Sequence, residues 1–156
     1  MLPSVGQIYE YDFELFDWND VVKGIDKSLQ RMGDEGFRMI SEGGRVPSFA
    51  IHDASCINQV NLVRQFIEKQ RRIPDGFQLN CHLYASMSYE SDVFGFHTDV
   101  DDVYIWQVRG TTNWQVEDAL EDCTLLPNQM IYIPQGYKHR PILKGPRISV
   151  SFSVGQ

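Results

Sequence analysis

A chain of 156 residues that is 42% hydrophobic and 22% charged holds enough apolar material for one substantial core and has the composition of an ordinary globular domain. Its net charge of −7 argues against a general nucleic-acid-binding surface, which needs clustered Lys and Arg to neutralise phosphates, and no apolar run approaches the roughly 18 residues that a membrane helix requires. Cys56, Cys81 and Cys123 are scattered without C-x-x-C spacing, which offers neither a disulfide framework nor a thiolate metal site; with no secretory leader ahead of "MLPSVGQIYEYDF", a cytoplasmic protein is expected.

Asp17 is placed to cap a helix through "DWNDVVKGIDKSLQRMG", where Val21, Val22, Ile25, Leu29 and Met32 recur at helical spacing and Gly33 offers a stop. Ser55 precedes a second helix, with Val60, Val63, Phe66 and Ile67 along one side, "KQRR" near its end, and Pro74 forbidding continuation. The basic run reads as a solvated last turn that complements the helix dipole rather than as a nucleic-acid patch. His52, in "FAIHDAS", reads as a loop residue.

From Gly76 onward the hydrophobic period becomes two. In "LNCHLYASM", Leu79, Cys81, Leu83, Ala85 and Met87 alternate with Asn80, His82, Tyr84 and Ser86. "RISVSFSV" repeats the pattern, with Ile148, Val150, Phe152 and Val154 against Arg147, Ser149, Ser151 and Ser153. Between them "VYIWQV", "TNWQVE" and "QMIYIP" are short, β-branched or aromatic, and bounded by turn residues. This predicts a mainly β protein with flanking helices, a sandwich or barrel, as a single domain over 1–156: a helical half to about 75, then barrel strands from about 76 to 156. The helices would cover the outer apolar strand faces, and a barrel would enclose the polar ones. Trp106 and Trp114 are expected in the core.

"FGFHTDVDDVYIWQV" places His97 and Asp99 two positions apart. On a strand such residues project from one face and aim an imidazole nitrogen and a carboxylate oxygen at one point. His139, in "YIPQGYKHRP", is the candidate third ligand, and two histidines with one carboxylate form the ligand set of nonheme Fe(II) oxygenases. An acidic turn that happens to contain a histidine is the plainer reading of the same residues.

The order of these motifs resembles the Jumonji C and cupin-like Fe(II)/2-oxoglutarate oxygenases, particularly the ribosomal oxygenase and asparaginyl hydroxylase branch. A tyrosine-bearing strand (Tyr84) leads to H-x-D (His97, Asp99). An aromatic strand then ends in Gln107 to Gly110 with Trp114 beyond, and a Pro134-Gln135-Gly136-Tyr137-Lys138-His139 segment follows. The likeness covers residues 79 to 154 and implies a double-stranded β-helix, the jelly-roll barrel of the cupins. It implies Fe(II) on His97, Asp99 and His139, 2-oxoglutarate and O2 as co-substrates, and hydroxylation or demethylation of a protein or small-molecule substrate. The family usually places Lys or Arg two residues after the glycine of Gln-x-x-Gly, to pair the distal carboxylate of 2-oxoglutarate; here Thr112 stands there. Arg147, in the Arg-x-Ser form Arg147-Ile148-Ser149 used by other branches, is the replacement, because a guanidinium pairs a carboxylate bidentately. With Asn80, Tyr84, Thr112 and Ser149 it completes the cofactor-binding set that the resemblance implies. The uncharged Thr112 keeps open a metal-dependent cupin enzyme that does not use 2-oxoglutarate, or a noncatalytic cupin-like binding protein. The accessory C-terminal domains of the ribosomal oxygenases have no counterpart in the sequence, and no oligomeric state is implied.

Overall fold

The alternation in "NCHLYAS" forms strand β4 (Asn80–Ser86), with Cys81, Leu83 and Ala85 buried on one face. The computed structural model of the chain describes residues 5–40, 48–73, 76–87, 90–91, 95–119 and 123–154. In chain order the other elements are β1 (Ile8–Glu10), α1 (Trp18–Met32), β2 (Phe37–Ile40), β3 (Ser48–Ile51), α2 (Asn58–Arg71), β5 (Glu90–Ser91), β6 (Val103–Arg109), β7 (Thr112–Val116), β8 (Cys123–Leu125), β9 (Gln129–Ile133), β10 (His139–Lys144) and β11 (Arg147–Ser153).

The strands form two facing sheets, one of seven in the order β1-β9-β6-β11-β4-β3-β2 and one of four in the order β5-β10-β7-β8, with every pairing antiparallel. The large sheet is buried on both faces, which explains why β6 is apolar nearly throughout. Its Tyr104, Trp106 and Val108 face the helices, together with Val60, Val63, Leu83, Val150 and Phe152. Val103 and Ile105 face the small sheet, with Trp114, Leu125, Ile131 and Ile133. The inward positions of β4 and β11 are polar. There the register sets Tyr84 opposite Ser149 and His82 opposite Ser151, and this makes one end of the barrel wet.

Both helices form; α2 buries Val60, Val63 and Ile67 with Phe66 packed beside them, as expected, but the seam of α1 differs. Asp17 caps α1 in a reciprocal capping box with Asp20. The buried face, however, is Val21, Gly24 and Ser28, while Val22 is 58% exposed and Leu29 and Met32 also reach solvent. Small residues decide this. A Cβ on Gly24 would lie 2.9 Å from Ile57 Cδ1, and Ser28 Oγ donates to the Gly36 carbonyl at 2.8 Å, so the helix sits too close for a broader apolar ridge to fit beneath it. Ser55 does not start α2. It lies in a 3-10 turn (Ala54–Cys56) capped by Asp53, and the helix begins at Asn58. Arg71, in the basic run expected to be solvated, is engaged by Asp102 and Tyr104. Pro74 lies outside the described residues.

The first 75 residues are not simply helical: β1, β2 and β3 add three strands to the large sheet. Each has only 3 or 4 residues, too few to display a period. Strand β10 is hidden for another reason. Pro141 sits within it, opposite Trp114, where a proline argues against a strand in the sequence alone.

Candidate metal centre

His97, Asp99 and His139 converge: one donor atom from each lies within 4.8 Å of the others. The local geometry is not the regular strand that the H-x-D spacing suggests. His97 makes an isolated bridge with His139, exchanging both backbone hydrogen bonds (3.0 and 2.9 Å), and Asp99 lies in the loop before β6. A pinned loop, rather than a pleat, brings the carboxylate round to the histidines.

Each imidazole is oriented by its own chain. His97 Nδ1 lies 3.1 Å from the Gly95 carbonyl and His139 Nδ1 2.9 Å from the Tyr137 carbonyl, so Nδ1–H donates and the Nε2 lone pair is turned toward the cluster. His139 Nε2 then faces Asp99 Oδ2 at 3.0 Å. A lone pair and a carboxylate oxygen at that distance require a cation between them, either a proton or a metal ion. Metal–ligand bonds of about 2.1 Å place adjacent donor atoms about 3 Å apart, the separation already held by His139 Nε2 and Asp99 Oδ2, and a donor atom of His97 within 4.8 Å of both would have to move inward to complete the set. The hydrogen bond from His139 and the two nearby imidazoles hold the Asp99 carboxyl below the usual carboxylate range, although burial opposes them.

The triad opens into a cavity of about 330 Å³ that Tyr84, His82, Trp114, Ser151 and Arg147 also line. Arg147 is 2% exposed. Its Nη1 donates to Ser149 Oγ (3.2 Å), which donates to Gln107 Oε1 (2.8 Å), and Gln107 Nε2 donates to the Arg109 carbonyl (3.0 Å). Among the described residues its Nε has no hydrogen-bond partner and no carboxylate pairs it. Burial pushes the guanidinium down to about 10, offset in part by Tyr84. The hydroxyl of buried Thr112 and the indole N–H of Trp114, on the same side of β7, are likewise unpartnered among the described residues. Buried polar groups normally find partners, so the lone guanidinium Nε, the Thr112 hydroxyl and the Trp114 N–H stand out among the described residues of this interior.

The remaining sequence candidates fall in two places. Tyr84 lines the cavity and Ser149 supports Arg147, whereas Asn80, at the start of β4, lines a separate polar cleft of about 920 Å³ with His52 and Arg31. His82 lines both. Ser151 and Ser153 also line the cavity; no motif points to them, though the polar half of the "RISVSFSV" alternation already places them beside Ser149. Gln107 and Gly110 acquire physical roles: Gln107 ties Ser149 to the main chain, and Gly110, at φ +69, leaves no room for a Cβ, which would lie 2.1 Å from the Pro146 carbonyl.

Solved structures with this architecture place it among known folds. The ribosomal oxygenase YcfD of Escherichia coli superposes with a TM-score of 0.63 at 16% identity over 94% of this chain and 54% of that one. The same protein in complex with cobalt and 2-oxoglutarate gives 0.59 at 18% identity over 77% of this chain and 39% of that one. The fold is a cupin-like double-stranded β-helix. The chain spans between about two fifths and a half of the length of these neighbours. No family model matches the chain, and no curated protein matches it in sequence. No helix among the described residues is long and apolar enough to cross a membrane.

Proposed function

We propose that the protein is an Fe(II)- and 2-oxoglutarate-dependent oxygenase that hydroxylates a protein or small-molecule substrate. The metal would be held by His97, Asp99 and His139, and the distal carboxylate of 2-oxoglutarate by Arg147, with Thr112 and Tyr84 beside it. Fe(II) and 2-oxoglutarate together supply the oxidation of an unactivated C–H bond by O2. The chain's own contribution would be to fix both imidazoles by their Nδ1 bonds, to present one carboxylate, and to hold a buried cation for the cofactor's carboxylate.

The observation that carries this reading is Arg147. A buried guanidinium with no counter-charge among the described residues, in the same cavity as His97, Asp99 and His139, is costly in a purely structural barrel and useful in one that takes a carboxylate. Thr112 cannot neutralise the charge that the family's usual Lys or Arg neutralises there. The buried cation of Arg147, on β11, would take over that role from the facing sheet; its burial supports the reading.

Calorimetric titration of 2-oxoglutarate into the Co(II)-loaded protein tests the assignment without knowledge of the substrate. Arg147→Ala is expected to retain Co(II) and to bind 2-oxoglutarate at least about tenfold more weakly, since charge-assisted hydrogen bonds contribute on the order of 1.5–3 kcal/mol each. Thr112→Ala should lose much less. Equal 2-oxoglutarate affinity in wild type and Arg147→Ala removes the anchor. If wild type binds Co(II) but no 2-oxoglutarate, the protein is a metal-dependent cupin enzyme of another kind, as the uncharged Thr112 would then imply.

A further inference from the structure

The two segments that carry the ligands are joined at three levels. His97 and His139 exchange backbone hydrogen bonds at one end; further out, Gly136 N–H donates to the Asp99 carbonyl (3.0 Å). At the far end the Gln135 N–H donates to Asp102 Oδ1 (3.0 Å), so the last join is made by a side chain. That side chain is gripped from outside the barrel. Arg71, the final residue of α2, places Nη2 at 3.4 Å from Asp102 Oδ2 and donates from Nη1 to Tyr104 Oη. Its guanidinium also lies over the rings of Tyr104 and Tyr132, with centroids at 5.4 and 5.9 Å.

Asp99 is the ligand that needs such support. Both histidine rings are oriented through their own Nδ1 atoms, but the Asp99 side chain is 39% exposed and, among the described residues, is bonded only to His139 across the position an ion would take. Its main chain is held by Gly136, in a turn with φ +81 where a Cβ would meet no atom within 4 Å. Tyr137 packs this turn against the small-sheet core, and on the open Gly136 side hydrogen bonds fasten it. The bond from Gln135 to Asp102 is one of them, and it ends on Arg71.

We propose that Arg71 and Asp102 are positioning residues that brace Asp99 against the two histidines, so that the end of α2 sets the geometry of the metal centre. The inference rests on the triad being a metal site. Neither residue lines the cavity, so an effect of either on the metal must pass through the ligands they support.

The experiment uses the full chain and Co(II) alone, with affinity measured by calorimetry and coordination geometry by the visible Co(II) bands, beside a thermal melt. Asp102→Ala is expected to remain folded, to bind Co(II) at least about tenfold more weakly, and to shift the bands, in line with the roughly 10- to 100-fold effects of residues that orient ligands. Arg71→Ala should lose less, because the Gln135 bond survives, and Arg71→Lys should recover part of the loss. The double variant should be no weaker than Asp102→Ala, because both act through one brace. Unchanged affinity and bands in folded Asp102→Ala overturn the proposal. If Asp102→Ala does not fold, Arg71→Ala decides alone, since it removes a partly exposed side chain: wild-type affinity and bands overturn the brace. A wild type that binds no Co(II) removes the metal reading and the brace together. A wild type that binds, with variants that do not respond, removes the brace alone.

Discussion

Arg147 costs the fold stability that a ligand would restore. The unfolded chain keeps this guanidinium charged up to the ordinary, strongly basic arginine range, whereas burial in the folded chain lowers it to about 10. Because the folded group binds its proton less tightly, the penalty is fully present at every pH below about 10 and is relieved only as pH rises from there toward the ordinary arginine range. A depression of that size corresponds to something on the order of 3 kcal/mol. Arg147→Met, which fills similar space without charge, should therefore raise the melting temperature of the ligand-free protein at neutral pH, by about 2–8 °C for a gain of roughly 1–2 kcal/mol. A melt at or below that of wild type would show that Ser149 and Gln107 already compensate the charge.

Strand β4 shows the same trade at the level of an element. Its outward residues build the helix-facing core, while its inward residues must serve a wet interior, and His82 sits where the two clefts meet. Burial first, and then the neighbouring His52, hold the His82 imidazole below its usual value, with Asp53 opposing. Above about pH 6.5 the group is neutral in both states and contributes nothing to pH dependence; as pH falls, the unfolded chain takes up the proton first and the folded state loses stability. His52 is depressed for the same leading reason. His82→Gln should thus flatten the loss of stability between about pH 7 and 5, read as the shift of the urea midpoint. Parallel midpoints for wild type and variant would place the acid sensitivity elsewhere.

For the whole molecule, the proposed metal site would couple binding to folding, since the triad draws on the loop before β6 and the first residue of β10, which the unfolded chain holds far apart. Co(II) at about 100 times its dissociation constant adds about 2.7 kcal/mol to the native state, which for a domain of this size raises the melting temperature by roughly 5–10 °C. Chelation should reverse the shift. Asp99→Ala, which removes the charged ligand and leaves both cores intact, should melt at the same temperature with or without Co(II). An equal Co(II) shift in that variant would mean that the ion binds elsewhere.

The period-two runs of β4 and β11, the short β-branched and aromatic runs of β6 and β9, the capped first helix and the H-x-D spacing of His97 and Asp99 were legible because each is local: alternation, composition, a cap and a two-residue spacing need no knowledge of what lies across the barrel. The motif order carried the resemblance, and through it the barrel. What the sequence left open depended on distance between segments. Whether α1 would bury Leu29 or Gly24 depended on how closely Ile57 and Gly36 approach. The three short strands of the first half are strands only because the large sheet offers them an edge. His97 and Asp99 face one point because a bridge to His139 bends a loop, not because a strand pleats. Arg147 could equally have stood on a solvated strand face; it became a buried, unpaired cation because tertiary packing closes the small sheet over β11, a long-range fact that no local pattern of residues records.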